Sequence, residues 1–361
     1  MSLASVLKKY QVSDSNVGGR FINFHHHDEY SLRCGIGNVS EIVPLAKEYG
    51  MSHVCITNYC DVSEWVRIYS QCKKNDLIPI FGIELFVNNY FPIFEKIGSE
   101  QVCNQVKFQN KTLNVSDMDS YQKSDININW HLVLIAINKT GFENLIKIHN
   151  YSQLEWFYNF PRCPENIIEK YSEGIVAIIP NYCGEITYLV DNNKRDEAVE
   201  KLNYYKSIFE DVYLELAVEE DDFYKDVNNE IINFANKTST KTLIGINSHY
   251  TKAEDESVYS TLITLRKFKG DKQHEVNVVP KMYFKSESEV RELFERRFKD
   301  DVFTEDVFNQ SLINSATLAD SIPFIDIDTS VKMPHFQNAD EIIERKAFEG
   351  LEFRGKERDP I

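Results

Sequence analysis

Short apolar, β-rich runs alternate with helical patterns along most of this chain, and that alternation constrains the fold more than any other feature. The β-rich runs cover residues 21–24, 54–56, 78–87, 132–137, 175–179, 212–216 and 243–247. Helical patterns lie between them, for example at 64–74, at 197–209 and at 42–49, where Ser40 is the predicted cap and Gly50 the predicted end. Such alternation predicts an α/β fold with a parallel sheet, either doubly wound or barrel-like. Seven strands favour a barrel.

Two stretches depart from this alternation. Residues 88–129 are rich in Asn, Ser and Lys and lack a clear period, which predicts a polar insertion on the surface. From Lys281 the strands stop, and helices are predicted at 289–298, 304–320 and 339–354. We therefore expect an N-terminal segment (1–20), a barrel (21–280) and a helical connector (281–361) that leads toward a further domain and is cut short.

Composition excludes several classes of protein. A hydrophobic fraction of 42% over 361 residues is enough for a sizeable core, which excludes wholesale disorder. The formal charge of −16 argues against a stand-alone nucleic-acid binder, because phosphate contacts need clustered basic residues. No apolar run is long enough to span a bilayer, the first residues do not resemble a signal peptide, and seven cysteines form no C-x-x-C pair. These features predict a reduced, cytoplasmic chain without a membrane partner.

A histidine cluster directly after the first predicted strand is the sharpest candidate site. His25 and His27 are two residues apart, so on an extended backbone their side chains point to one side and that of His26 to the other. Two imidazoles at the carboxyl end of a strand can form a metal-binding pair, and in a barrel that end carries the active site. A surface cluster of histidines remains the alternative.

Three further candidates stand at the ends of, or within, later strands. Glu84 lies in an otherwise apolar strand, where a carboxylate needs a partner or a cation. His131 opens one apolar strand and His249 follows another. Each has an ordinary alternative, an ion-paired glutamate or a hydrogen-bonded structural histidine. Their shared placement at strand ends favours one constellation with His25 and His27.

Several collinear segments together resemble one known family. They include residues 24–31 (FHHHDEYS), 46–51 (AKEYGM), 79–84 (PIFGIE), 131–138 (HLVLIAIN), 141–147 (GFENLIK), 170–177, 211–216, 249–250 and 333–336. The chain is similar to the polymerase-and-histidinol-phosphatase (PHP) domain, in the version at the N-terminus of the bacterial DNA polymerase III alpha subunit of replicative family C. The resemblance spans roughly residues 20 to 355. It includes, as one form of that subunit, a split or truncated, virus-encoded version.

The resemblance implies a distorted seven-stranded α/β barrel that holds up to three metal ions on His, Asp, Glu and Cys ligands and hydrolyses phosphoesters, in some polymerases as 3′–5′ proofreading. His25 and His27 match the first ligand pair, and Glu84, His131 and His249 match three later ligands. Four positions depart from the family pattern: Asn58, Tyr59, Asn181 and Asn247 stand where Asp, His, Cys and Asp are expected.

These departures weaken the expected metal cluster. The asparagines at positions 58 and 247 each replace an anion by a neutral amide, and the Tyr59 phenol is a poor ligand at neutral pH. Three divalent ions bring six positive charges, against Glu84 and the nearby Asp28 or Asp61, so we expect no trinuclear cluster. One Zn²⁺ or Mn²⁺ on two or three of the five retained ligands satisfies ordinary coordination, with little or no nuclease turnover.

The function expected from the resemblance is that of an N-terminal replicase module that stabilises the polymerase and docks partners. Those partners are the palm, fingers and thumb, in the same or a separate chain, and a proofreading exonuclease subunit; DNA contact is indirect. The chain alone is expected not to polymerise DNA, because the catalytic carboxylates of the palm would lie beyond residue 361. The alternatives are an active metal-dependent phosphoesterase or 3′–5′ exonuclease acting on DNA ends, and a generic barrel with structural histidines.

Overall fold

A computed structural model describes residues 21–97, 100–108, 111–118, 126–266, 280–332 and 336–355. The predicted N-terminal segment, 1–20, lies outside the described residues. The strands are β1 (His53–Ile56), β2 (Ile78–Val87), β3 (Tyr90–Ile97), β4 (Glu100–Phe108), β5 (Lys111–Asn114), β6 (Trp130–Ala136), β7 (Phe157–Tyr158), β8 (Phe160–Pro161), β9 (Ile175–Ile179), β10 (Val212–Ala217) and β11 (Lys241–Gly245).

The α-helices lie mainly between the strands of the large sheet. They are α1 (Val39–Glu48), α2 (Trp65–Asn75), α3 (Lys139–Leu154), α4 (Glu165–Lys170), α5 (Glu185–Asp191), α6 (Arg195–Ile208), α7 (Phe223–Thr238), α8 (Glu256–Arg266), α9 (Glu287–Leu293), α10 (Glu305–Ser321) and α11 (Ala339–Phe353). The cap of α1 is Asn38 rather than the predicted Ser40: the Asn38 side chain accepts a hydrogen bond from the Ser40 N–H at 2.9 Å. None of these helices is long and apolar enough to cross a membrane.

Six strands form the central sheet in the order β1-β2-β6-β9-β10-β11. Every residue of β1, β9 and β10 is buried, as expected for a sheet covered on both faces. The prediction of an all-parallel sheet is wrong at β6, which is antiparallel to both β2 and β9. The reversal relative to β2 goes with the connection between the two strands, whose described residues form a small β-sheet and include no α-helical crossover of the kind that joins parallel neighbours.

The first predicted strand, residues 21–24, is not a regular strand. Asn23 accounts for this, because its side chain takes up backbone groups that a ladder would use: its amide donates to the carbonyls of His25 and Ile246, and its oxygen accepts from the N–H of both residues. The irregular segment nevertheless joins the two edges of the sheet. The N–H of Thr57, after β1, donates to the His26 carbonyl, and the His27 N–H donates to the Ser248 carbonyl, after β11.

The sheet therefore curls into a distorted barrel of six regular strands. An irregular segment, residues 21–27, closes this barrel and is called the closing segment below. The predicted α/β fold with a distorted barrel is confirmed, with this correction to the number and direction of the strands. The closing segment carries His25 and His27, so the barrel closure and the candidate metal pair are one feature.

The polar insertion is more regular than its sequence suggests. Its described residues form an antiparallel sheet, β3-β4-β5, over a small core of Val106, Met118 and Ile126. Phe91 of β3 packs on Trp156, with ring centroids 5.2 Å apart, so apolar contacts fix this insertion against the rest of the first unit.

The chain divides into two compact units, one ending at Ile325 and one beginning at Asp326. In the first unit α10 packs on β11, where Ser311 Oγ lies 2.7 Å from Thr242 Oγ1 and the Asn314 side chain donates to the Thr242 carbonyl. In the second unit α11 buries none of its residues. The domain boundaries given above stay predictions.

Candidate metal centre

His25 lies between two buried carboxylates. Its Nε2 is 2.9 Å from Glu84 Oε2, and its Nδ1 is 2.8 Å from Glu215 Oε2. The exposed fraction of each of the three side chains is at most 2%. The imidazole ring is therefore held at both nitrogens by groups from β2 and β10.

His27 enters the same site from the closing segment. Its Nε2 is 2.8 Å from Glu84 Oε2 but is not aligned for a hydrogen bond, and its Nδ1 is 3.0 Å from Ser31 Oγ. The ring is sandwiched between those of Tyr59 and His249, with centroid distances of 4.1 and 4.7 Å. A buried imidazole nitrogen that points at a carboxylate without a shared hydrogen is free to bind a cation.

His131 reaches the other oxygen of Glu84, with Nδ1 at 2.5 Å from Oε1. It can do so because β6 runs against its neighbours, which brings the first residues of β6 to the edge where β2 ends. The His131 N–H donates to the carbonyl of Cys183, which fixes the strand end. The start of β6 thus brings His131 to Glu84, although the predicted direction of this strand was wrong.

The charges in the site are set by burial and by these contacts. Burial disfavours a protonated His25, but Glu215 and Glu84 outweigh it and raise the pKa of His25 well above its usual value. Burial likewise disfavours the Glu84 anion, but His25 and His131 outweigh it and hold the pKa of Glu84 well below its usual range. Burial lowers the pKa of His27 and, with His27 and His25 nearby, lowers that of His249 much further. His27 and His249 are therefore neutral and Glu84 is ionised, whereas His25 carries a proton that a cation binding at its Nε2 would displace.

The ring of His26 points away from this site, as the alternation predicts. Its Nδ1 is 2.6 Å from Ser248 Oγ, and its ring meets Phe284 edge-on. Burial, together with His27 and His25, lowers the pKa of His26 to about 3. This histidine is a neutral structural residue.

The predicted ligands are brought together to different degrees. The ligand atoms of His25, His27 and Glu84 all lie within 4.8 Å of one another, and this trio is the only such group of three in the part of the chain that the structure describes. His131 joins it through the second oxygen of Glu84, and His249 through its ring contact with His27.

Neutral side chains fill the four departing positions. Asn58 is occupied locally: its oxygen accepts from the Asp28 N–H and the Ser31 hydroxyl, and its amide donates to Asp28 Oδ1 at 2.6 Å. Tyr59 stacks on His27, and burial raises its pKa well above the usual value, so its phenol is neutral. Asn181 donates to Asn228, and the Asn247 N–H donates to Glu219.

Sequence reasoning missed two buried carboxylates, Glu215 in β10 and Glu219 just after it. Glu215 was detectable, because it is a glutamate inside an otherwise apolar strand, the same signal that identified Glu84. Glu219 had no comparable pattern. Its Oε1 accepts from Asn247, while burial raises its pKa to about 7.

The residues present suit a divalent ion. His27 Nε2 and His249 Nδ1 are buried without a hydrogen-bond partner, and unpartnered buried nitrogens are costly unless a ligand uses them. Two imidazoles and a carboxylate form a donor set that Zn²⁺ accepts, and Mn²⁺ accepts the same donors.

The PHP domain family matches residues 23–219 of this chain, a range that contains His25, His27, Glu84, His131 and Glu215. The chain belongs to the PHP domain family. His249 follows the matched range.

Curated relatives of this PHP domain are named DNA polymerase III subunit alpha. The protein from Borreliella burgdorferi is 29% identical over 76% of this chain and 22% of its own length, and that from Aquifex aeolicus is 30% identical over 68% and 20%. The chain thus spans about a fifth of the length of these relatives. A solved two-domain protein from Bacteroides vulgatus, containing a predicted PHP-like metal-dependent phosphoesterase, is 12% identical over 70% of this chain and 58% of its own, with a TM-score of 0.39.

Proposed function

We propose that this PHP domain serves in DNA replication as the N-terminal module of a DNA polymerase III alpha subunit. In this role it is a structural and partner-docking domain around a degenerate metal site, one with fewer ligands than the family pattern. Its partners are the palm, fingers and thumb of the polymerase and a proofreading exonuclease subunit. The relatives that carry this name support the assignment. Nucleotidyl transfer is left to the other parts of the polymerase.

The observation that carries the degenerate site is the set of neutral groups inside it. The Asn58 side chain is hydrogen-bonded to Asp28 and Ser31, and the neutral Tyr59 ring covers one face of His27. Glu215 is a second buried carboxylate beside His25, in addition to Glu84, and it was not among the anions counted from the sequence. Two carboxylates balance one divalent ion but fall far short of the six positive charges of three ions in a buried cleft.

We therefore assign one Zn²⁺ or Mn²⁺ ion to His25, His27 and Glu84. When bound, such an ion supplies Lewis-acid polarisation of a phosphoester and an activated water. The chain's own contribution is to keep His27 neutral by burial, to keep Glu84 ionised through His25 and His131, and to limit access with Tyr59. Without further bridging anions, we expect hydrolysis to be negligible.

The alternative is an active phosphoesterase or 3′–5′ exonuclease acting on DNA ends. The retained trio and the unpartnered nitrogens of His27 and His249 favour it. The two proposals differ in the number of metal ions and in turnover, so one pair of measurements separates them.

The test combines elemental analysis of the purified chain with nucleotide release from single-stranded DNA in Mn²⁺, Zn²⁺ or Mg²⁺. We expect about one metal per chain and no release above that of His25→Ala, which should also lose the metal. His149→Ala, on α3 and outside the trio, is the matched control and should keep it. Two or three ions per chain, with turnover that disappears in His25→Ala, would favour the phosphoesterase.

A further inference from the structure

The two ring nitrogens of His25 face two different carboxylates. Nε2 faces Glu84, whose oxygens are also contacted by His27 and His131, and Nδ1 faces Glu215 at 2.8 Å. A neutral imidazole can present a lone pair from one nitrogen only if the other carries the hydrogen. Which carboxylate keeps the hydrogen therefore decides which nitrogen of His25 can bind a cation.

We propose that Glu215 is a positioning residue that holds a hydrogen on Nδ1 of His25, so that Nε2 is presented to a divalent cation beside His27 and Glu84. The inference rests on the proposed single-ion site. A carboxylate that accepts the outer N–H of a ligating histidine fixes both its tautomer and its ring orientation, and makes it a stronger ligand. Glu215 lies outside the trio of converging ligand atoms, which suits this indirect role.

A glycine on the neighbouring strand makes room for the Glu215 carboxylate. A Cβ atom at Gly245 would lie 2.3 Å from Cδ and 2.7 Å from Oε2 of Glu215, the oxygen that faces His25. The φ angle of Gly245 is not in the left-handed region, so space rather than backbone conformation requires the glycine. Gly245 of β11 is paired with Ala217 of β10, two residues beyond Glu215.

This packing provides two independent ways to disturb the same contact. Glu215→Ala removes the acceptor, whereas Gly245→Ala keeps the carboxylate and forces it away from His25. Glu215→Gln keeps an acceptor of the same shape without the charge. Glu219→Gln is the matched control, because Glu219 is equally buried but bonds the N–H of Asn247.

The test measures Zn²⁺ affinity by competition with a chromophoric chelator, with circular dichroism to verify folding. We expect Glu215→Ala and Gly245→Ala to weaken Zn²⁺ binding 10- to 100-fold, as for other partners of ligating histidines. Glu215→Gln should recover part of this loss, and Glu219→Gln should stay within about threefold of wild type. Folded Glu215→Ala protein that binds Zn²⁺ as tightly as wild type would refute the role of Glu215 and leave the single-ion site intact.

A second measurement needs no variant. Long-range ¹H–¹⁵N correlation spectra of the Zn²⁺-loaded wild-type chain report which nitrogen of His25 carries hydrogen. We expect the hydrogen on Nδ1, and a hydrogen on Nε2 would overturn the inference even if the variants fail to fold. Wild-type protein that binds neither Zn²⁺ nor Mn²⁺ would instead overturn the proposed single-ion site, a result distinguishable from the failure of the role of Glu215.

Discussion

At the scale of single residues, two buried carboxyl groups beside the metal centre are unusually placed. Asp28 is fully buried with Oδ2 lacking a hydrogen-bond partner, and Glu64 is 2% exposed with neither oxygen hydrogen-bonded. Burial raises the pKa of Asp28 to about 6, and burial together with Asp28 raises that of Glu64 to about 7. Arg67 opposes the second shift only weakly, because its Nε lies 3.3 Å from Glu64 and its other nitrogens bind Glu29 and Asn38.

Glu64→Gln should therefore change the pH dependence of stability. A carboxyl whose folded-state pKa is raised stabilises the fold below its unfolded pKa, and this stabilisation is lost as pH rises through the folded pKa of about 7. Between pH 5 and pH 8 the variant should gain about 2 kcal/mol in unfolding free energy relative to wild type. Urea unfolding at both pH values measures this. Glu48→Gln, exposed on α1, is the control, and a wild-type-to-variant difference independent of pH would contradict the prediction.

The sequence indicates the residues of the candidate trio more readily than it indicates their surroundings. His25, His27 and Glu84 were recognisable because a paired histidine or a lone glutamate stands out against an apolar strand. The contact of Glu215 with His25 depends on the curl of the sheet, which brings residues 190 positions apart together. The sequence shows that position 58 is an asparagine. The hydrogen bonds of Asn58 to Asp28 and Ser31, however, depend on tertiary structure alone.

At the scale of elements, strand positions were predictable and strand directions were not. Hydrophobic runs identify β2, β9 and β10 because buried strands are apolar on both faces. Nothing in the residues of β6 indicates that the strand is antiparallel, because the apolar pattern of a buried strand is the same in either strand direction. That direction depends on the connection from β2 to β6, whose described residues form the small antiparallel sheet β3-β4-β5.

The end of β6 leads directly into α3, whose first turn gives an element-scale prediction. The Asn138 side chain accepts from the Gly141 N–H at 2.9 Å and so caps the helix. Asn138→Ala should lower the unfolding free energy by about 1 kcal/mol. Asn150→Ala, exposed within the same helix, should raise it by a few tenths (~0.3 kcal/mol), because alanine is the better helix former.

Urea unfolding of both variants provides the comparison. The two substitutions are chemically identical and lie in one helix, so general effects of losing an asparagine cancel. Equal stability of the two variants would show that the cap does not stabilise α3.

At the scale of the whole molecule, the candidate metal centre exists only in the folded chain. Its trio comes from the closing segment and from β2, and the groups that hold the trio come from β6 and β10. Because the closing segment joins β1 to β11, occupation of the site and closure of the barrel stabilise each other.

The two compact units should differ sharply in their contribution to stability. A chain ending at Ile325 loses α11, which buries no residue, and should keep the unfolding free energy within about 1 kcal/mol of wild type. A chain ending at Phe303 also loses α10, whose Phe308 and Leu312 are buried and which packs on β11. Losing two such side chains alone costs about 5 kcal/mol or more, so this shorter chain should unfold at much lower urea or fail to fold. Similar urea midpoints for the two truncations would contradict the contribution of α10, and a large loss on removing residues 326–361 alone would show that the second unit stabilises the first.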